Sequence, residues 1–272
     1  MRIAITGGTG FVGGQLSAQL RAMGNSVTQL SRTALPSENG LIWSLENGLP
    51  SAQLEGFDVL IHAAWDFVRP EMNVAGSIRL FQAAKAASVP RIVFISSLSA
   101  FEGCRSHYGA TKLAVEKTVG ALDGCTIRLG FVCDDTSRGL SGSLKKLAAL
   151  PMVPLPAGGG QHLFTIQAVD LAPAFLKILE RCDRAPVNLA HPEPVSLADM
   201  LRTFARQQGR SPVLLPVPWR LLWAPLRCAE AAGVSLKFRS DSLVSLMNQD
   251  TAPDFRRLDE WGIVLRAFDP PK

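Results

Sequence analysis

The sequence predicts an α/β fold, a doubly wound parallel sheet with a small C-terminal lobe. Three observations lead there. Short apolar runs of strand length alternate with longer stretches of helical apolar spacing through the first half of the chain. A cluster of glycines, Gly7, Gly8, Gly10 and Gly13, separates the first apolar run from the first helical stretch. After Val132 the alternation stops and Pro- and Gly-rich sequence takes over.

Taken in order, 2–6 is a short apolar run bounded by glycine and reads as the first strand, while 11–23 carries Val12, Leu16 and Leu20 at helical spacing before Gly24 ends it. Strands are expected at 26–30, 41–45, 58–63 and 91–96, with a helix at 73–87 closing before Val89-Pro90. A helix at 108–119 precedes a strand at 126–131. Buried apolar strands joined by helices imply parallel pairing with right-handed crossovers. Beyond Val132 a short helix at 144–150 is expected, then loop through 151–160, a helix at 169–180 and a strand at 187–190 that rejoins the sheet. A helix at 196–208 is capped by Ser196, with Asp199 three positions on. Trp219, Leu222, Trp223 and Leu226 share a helical face whose expected role is core packing ahead of a partner or membrane surface, and Pro225 argues against a long regular helix. The expected division is 1–132 plus about 161–192 as a nucleotide-binding domain, with 133–160 and 193–272 as the substrate lobe.

Composition narrows the classes. A chain of 272 residues, 47% hydrophobic and 19% charged, is a compact globular protein and not a disordered one. The net charge of +5 is spread without a Lys/Arg run, which argues against nucleic-acid binding. Cys104, Cys125, Cys133, Cys182 and Cys228 are odd in number and lack metal-ligand spacing, so reduced thiols and no metal site are expected. The first strand follows Met1 directly and no apolar run has membrane length, so a cytoplasmic protein without membrane contact is expected.

A glycine turn between a strand and a helix suits a dinucleotide pyrophosphate, which needs backbone N–H groups at close range and a helix N-terminus aimed at it. Gly7 makes the tight turn, Gly10 admits the phosphate and Gly13 allows close helix packing, with Phe11 and Val12 completing a Rossmann-type cofactor cradle. At the end of the second strand an acid would bind the ribose of NAD, but the chain has Ser31-Arg32-Thr33. Arg32 offers a charge-assisted fork to a 2′-phosphate, so NADP(H) is favoured and NAD(H) is the lesser expectation.

Tyr108 and Lys112 stand four residues apart on one helix face, where an ammonium favours the phenolate of what is the only tyrosine in the chain. The preceding strand ends in Ser96-Ser97, with Ser99 close behind, at the carboxyl end of a parallel strand where α/β sheets place ligands. A serine there can hydrogen-bond a substrate oxygen; the others serve turns or caps. Trp65 and Asp66, just past the fourth strand, are candidates to touch substrate. Arg138, Lys145, Lys146, Arg202 and Arg206 are weaker candidates for a diphosphate, a solvated surface being the competing role.

The chain resembles the short-chain dehydrogenases/reductases in their extended or atypical branch, the NAD-dependent epimerase/dehydratase group. The resemblance rests on Thr6-Gly7-Gly8-Thr9-Gly10-Phe11-Val12-Gly13, Ile61-His62-Ala63-Ala64, Asn73-Val74-Ala75-Gly76-Ser77, Ile95-Ser96-Ser97 and Tyr108-Gly109-Ala110-Thr111-Lys112, and extends through Arg128-Leu129-Gly130-Phe131-Val132 and Val169-Asp170-Leu171-Ala172. It implies Tyr108 as acid/base, Lys112 holding the nicotinamide ribose and lowering the tyrosine pKa, and Ser97 polarising the reacting oxygen. Ala63 and Ala64 would line the cofactor path, and Asn73 would order the neighbouring helix or a proton relay. A nucleotide-sugar becomes the favoured substrate, for keto-sugar reduction or epimerisation, and a homodimer through two helices is implied. The alternative is a non-catalytic NADP(H)-binding sensor or scaffold, against which the retained Tyr108 and Lys112 count. A methyltransferase with a similar glycine turn is disfavoured by the same pair.

Overall fold

The structure is a computed structural model that describes residues 1–33, 40–136, 138–181, 183–234, 236 and 238–268; Cys182 lies outside the described residues. The first half alternates as expected: β1 (Arg2–Thr6), α1 (Phe11–Ala22), β2 (Ser26–Ser31), β3 (Gly40–Ile42), β4 (Val59–His62), α2 (Glu71–Ala86), β5 (Arg91–Ser97), α3 (His107–Ala121) and β6 (Cys125–Leu129). Then follow β7 (Phe131–Cys133), α4 (Gly139–Ala148), β8 (Met152–Pro156), β9 (His162–Leu163), β10 (Thr165–Gln167), α5 (Leu171–Arg181), β11 (Val187–Leu189), β12 (Val195–Ser196), α6 (Leu197–Gln207), β13 (Val213–Val217), α7 (Trp219–Ala231), α8 (Ser240–Met247) and α9 (Arg256–Glu260).

Seven parallel strands form the central sheet in the order β11-β6-β5-β4-β1-β2-β3. The period of two along each strand sorts side chains onto two faces. Ile3, Ile5, Ile61, Val93 and Ile95 pack with Leu16 and Leu20 of α1 and Phe175 and Ile178 of α5. Ala4, Leu60 and Phe94 face the other way, onto Leu80 and Phe81 of α2 and Val115 and Val119 of α3. Burying each of these large side chains contributes about 1.5–3 kcal/mol. The chain reverses its winding between β1 and β4, so their carboxyl ends, Thr6 beside His62, border the crevice in which such sheets bind ligands. Leu258, Ile263 and Leu265, near the end of the chain, return to the first of these cores.

Several expectations are corrected. The strand expected at 126–131 divides at Gly130: β6 stays in the sheet, whereas Phe131 donates to the Phe164 carbonyl (2.8 Å) and β7 leaves to pair with β10. The expected strand at 41–45 shortens to β3 at the sheet edge, and the helix expected at 144–150 begins earlier, as α4. The stretch expected to be loop contains β8, paired in parallel with β13. Val153 and Leu155 point into a third apolar core against Leu201 and Phe204 of α6, which outweighs the prolines beside them, and a two-stranded ribbon tolerates a missing N–H. In α7 the helix runs through Pro225, and none of its residues is buried; Trp219, Leu222, Trp223 and Leu226 form a half-buried face and not part of a core. Ser196 caps α6 by accepting from Asp199 N (3.0 Å), and β11 rejoins the sheet beside β6, both as expected. Among the described residues no helix is long and apolar enough to cross a membrane.

Candidate active site

The glycine turn follows β1 directly. Gly7 has φ +71°, a left-handed conformation that costs glycine nothing, and a Cβ there would lie 2.6 Å from the Ala64 nitrogen. At Gly13 a methyl would collide with the Gly7 carbonyl oxygen, so α1 starts hard against the turn. Gly10, which donates to Gly7 O at 2.9 Å, is the N-cap of α1; no side chain caps it and the first turn holds no acid. The leading N–H groups of α1 are thus left for an anion. Phe11 and Val12 follow, half-buried against the first core, and Ala63-Ala64 borders the turn. These residues fit a dinucleotide pyrophosphate: the backbone can be approached, and the helix dipole favours the charge. Arg32 is exposed where β2 ends; the residues 34–39 beyond it lie outside the described residues.

A buried relay supports this floor. Thr6 Oγ1 accepts from Ala63 N and Ala64 N, both at 3.2 Å, and bonds His62 Nδ1 at 2.7 Å; His62 Nε2 meets Ser77 Oγ at 2.8 Å. With its lone pairs taken, the Thr6 hydroxyl donates to Nδ1, which assigns the ring proton to Nε2. Burial, seconded by the Lys112 ammonium, pushes His62 down to about 3, so the ring is neutral. His62 and Ser77 stand in motifs that carry the family resemblance but had no role assigned from the sequence, although a histidine ending an otherwise apolar strand was a usable signal.

Across the crevice the structure brings Ser97 and Tyr108 together. Ser106 caps α3 by accepting from Gly109 N (3.1 Å), and the Ser97 side chain lies close enough to the Tyr108 hydroxyl to favour its ionised form. The other serines have separate partners. Ser96 donates to Glu116, whose carboxylate is gripped by Arg128 at 2.7 Å, and Ser99 accepts from Ser245 at 2.9 Å. Glu116 was also missed, although Tyr108, Lys112 and Glu116 at intervals of four share one face of α3.

Lys112 is buried. Its ammonium donates to Ile95 O at 2.8 Å and lies 4.0 Å from the Trp65 ring centre, 4.6 Å from that of Phe94 and 5.8 Å from that of Tyr108. Burial pulls it down to about 7 despite the pull of Glu116 upward. The expected lowering of the tyrosine pKa is not what this geometry produces. Burial pushes Tyr108 up to about 12, opposed only by the Ser97 side chain, because Lys112 is turned toward Ile95 and Trp65.

The loop after β4 forms a wall. Trp65 meets the Tyr108 ring edge-on at 5.7 Å and Phe67 stacks on it at 5.8 Å. The Asp66 carboxylate accepts from Val68 N (2.8 Å) and Arg69 N (2.9 Å), and so shapes the loop; Asn73, fully buried, clamps both Asp66 N and Asp66 O at 2.8 Å. Of the basic candidates, Lys145 donates to Asp134 O at 2.7 Å and Arg202 pairs with Asp199 at 2.8 Å on the surface.

Residues 3–129 match the model of the NAD dependent epimerase/dehydratase family. An uncharacterized protein of Mycobacterium tuberculosis is 28% identical over 227 residues, 80% of this chain, but the chain spans about a quarter (24%) of that protein's length. The epimerase family protein YfhF of Bacillus subtilis is 28% identical over 256 residues, covering 80% of this chain and 83% of its own. Among solved structures, MoeE5 in complex with UDP-glucuronic acid and NAD superposes with a TM-score of 0.74 at 20% identity, over 98% of this chain and 94% of its own, a likeness of fold. Over residues 3–129 the chain is therefore similar to the NAD dependent epimerase/dehydratase family.

Proposed function

We propose that this protein is an NAD(P)-dependent oxidoreductase or epimerase of the short-chain dehydrogenase type that works at a carbinol or ketone carbon of a nucleotide-sugar, with NADP(H) favoured. The observation that carries the reading is the pairing of the Ser97 and Tyr108 side chains at the carboxyl end of β5, in the same parallel sheet whose β1 runs into the glycine turn, with Lys112 one helical turn on. The nucleotide-sugar class is supported by the likeness in fold to MoeE5, whose solved structure is a complex with UDP-glucuronic acid and NAD.

Gly7, Gly10, Phe11, Val12 and Gly13 would hold the pyrophosphate, Arg32 a 2′-phosphate, and Ala63, Ala64 and Lys112 the nicotinamide half. The nicotinamide, when bound, gives or takes the hydride. Ser97 donates to the substrate oxygen and orients it. Tyr108, held near 12, keeps its proton at neutral pH and so begins as the acid, delivering that proton to a ketone oxygen; in the oxidative direction it takes the proton back. Trp65 offers a flat apolar face to the C–H side of a sugar ring. The segments 133–160 and 193–272 would form the substrate lobe that closes over it.

The test is Tyr108→Phe, which keeps the ring packing and removes the proton donor. Turnover of nucleotide-sugars and keto-sugars should fall by about 10²-fold or more while NADPH affinity is retained. A fully active variant would refute the assignment. Tightly held oxidised cofactor that copurifies and does not exchange would identify the epimerase; rapid exchange would identify the reductase.

A further inference from the structure

Helix α8 lies between the lobe and the candidate site, and its two faces have different partners. Leu243, Leu246 and Met247 occupy one face. Leu243 is buried, Leu246 packs on the third apolar core, and Met247 Sδ accepts from Gln161 Nε2 at 3.3 Å. Asp241 and Ser245, one turn apart, occupy the opposite face. Asp241 Oδ1 accepts from His107 N (2.8 Å) and its Oδ2 from Tyr108 N (2.9 Å), two of the N–H groups that α3 cannot satisfy internally. Ser245 donates to Ser99 Oγ at 2.9 Å, two residues beyond Ser97, and Ser97 Oγ in turn accepts from Ser99 N at 3.2 Å. At the N-cap of α8, Arg239 donates to the carbonyl of Phe67, whose ring stacks on Tyr108. Glu230 of α7 holds that corner, accepting from Ser240 N (2.8 Å) and Ser240 Oγ (2.6 Å) and pairing with Arg239 at 3.5 Å.

Three residues within two turns of one helix therefore reach the three segments that surround Tyr108: the start of α3, the loop after β5 and the loop after β4. None of them touches the glycine turn in the contacts above. We propose that α8 is the positioning element of this site, with Asp241 its principal residue, setting the Tyr108 hydroxyl against Ser97 and linking that alignment to the seating of the substrate lobe. A carboxylate that binds two successive N–H groups fixes both the axial position and the rotation of α3 at Tyr108, and the hydroxyl chain through Ser99 fixes the Ser97 side. The inference rests on the reading that Ser97 and Tyr108 handle the substrate proton.

The chain has one tyrosine, so its ring resonances in NMR report on Tyr108 alone, without substrate. Asp241→Ala and Ser245→Ala should move those resonances toward the values of a free tyrosine. They should lower kcat for the nucleotide-sugar that the wild type converts by about tenfold or more, since small misplacements of reacting groups are costly. NADP+ affinity and KM should stay within about twofold, because the glycine turn is an independent site. Asp241→Asn, which keeps one acceptor oxygen, should restore most of the signal and the rate. Wild-type tyrosine resonances in both alanine variants would overturn the inference, as would NADP+ affinity falling in step with kcat. If Tyr108→Phe proves fully active, the proton role fails while the resonance shift still tests α8. If Tyr108→Phe is inactive and Asp241→Ala unperturbed, only the role of α8 fails.

Discussion

Lys112 is a cation that the fold holds at a cost, and replacing it with methionine should reveal how large that cost is. Burial lowers its pKa from 10.5 to about 7, a penalty on the charged form of about 5 kcal/mol at ~1.4 kcal/mol per pH unit. Between those two pH values the unfolded chain carries the lysine proton and the folded chain does not, so wild-type stability rises with pH across that window; below about 7 both states are protonated and the penalty is present in full. Lys112→Met has no proton to exchange. The stability of wild type relative to the variant should therefore rise by about 2–3 kcal/mol between pH 7 and pH 9, with the variant the more stable at the acid end. The other strongly displaced groups are present in both proteins and cancel in the difference. His62, lowered to about 3, adds stability as pH rises toward 6.5; Tyr108 and Cys133, both raised to about 12, lose it above 10 and 9 respectively. Urea unfolding followed by tryptophan fluorescence at several pH values gives the difference directly. A difference that stays flat to within about 0.5 kcal/mol would refute a buried, depressed Lys112.

Two further changes probe the cofactor cradle. Arg32→Asp should lower the NADPH/NADH ratio of kcat/KM by about tenfold or more, through loss of a charge-assisted fork and added repulsion, and an unchanged ratio would remove Arg32 from cofactor selection. Gly13→Ala forces a methyl into the Gly7 carbonyl, so thermal unfolding should show a loss of about 2 kcal/mol or more, together with weaker NADP+ binding by titration; wild-type values in both would mean that the turn yields more easily than its geometry indicates.

The sheet was legible because strand and helix periods are local properties. Ile3 and Ile5 flanking Ala4, or Val12, Leu16 and Leu20 in series, declare their element and their buried face within a few residues. The lobe was less legible: β8 is a strand only because β13, some sixty residues on, pairs with it, and prolines in a local window argue for loop. The same division runs through the site. Gly7, Gly10, Gly13, Tyr108 and Lys112 could be named from the residues alone, since a glycine turn and a four-residue helical interval encode chemistry at short range; Ser97 was named only through the family resemblance. Choosing among Ser96, Ser97 and Ser99 needed their partners, Glu116, Tyr108 and Ser245, the last from a helix in the other half of the chain. The sequence by itself determined the parallel sheet, the glycine turn after its first strand and the four-residue spacing of Tyr108 and Lys112. Only the tertiary structure decided where the Lys112 ammonium points, how deeply Tyr108 is buried and which helix reaches the segments around it, because burial and hydrogen bonds between distant segments exist only once the chain has closed on itself.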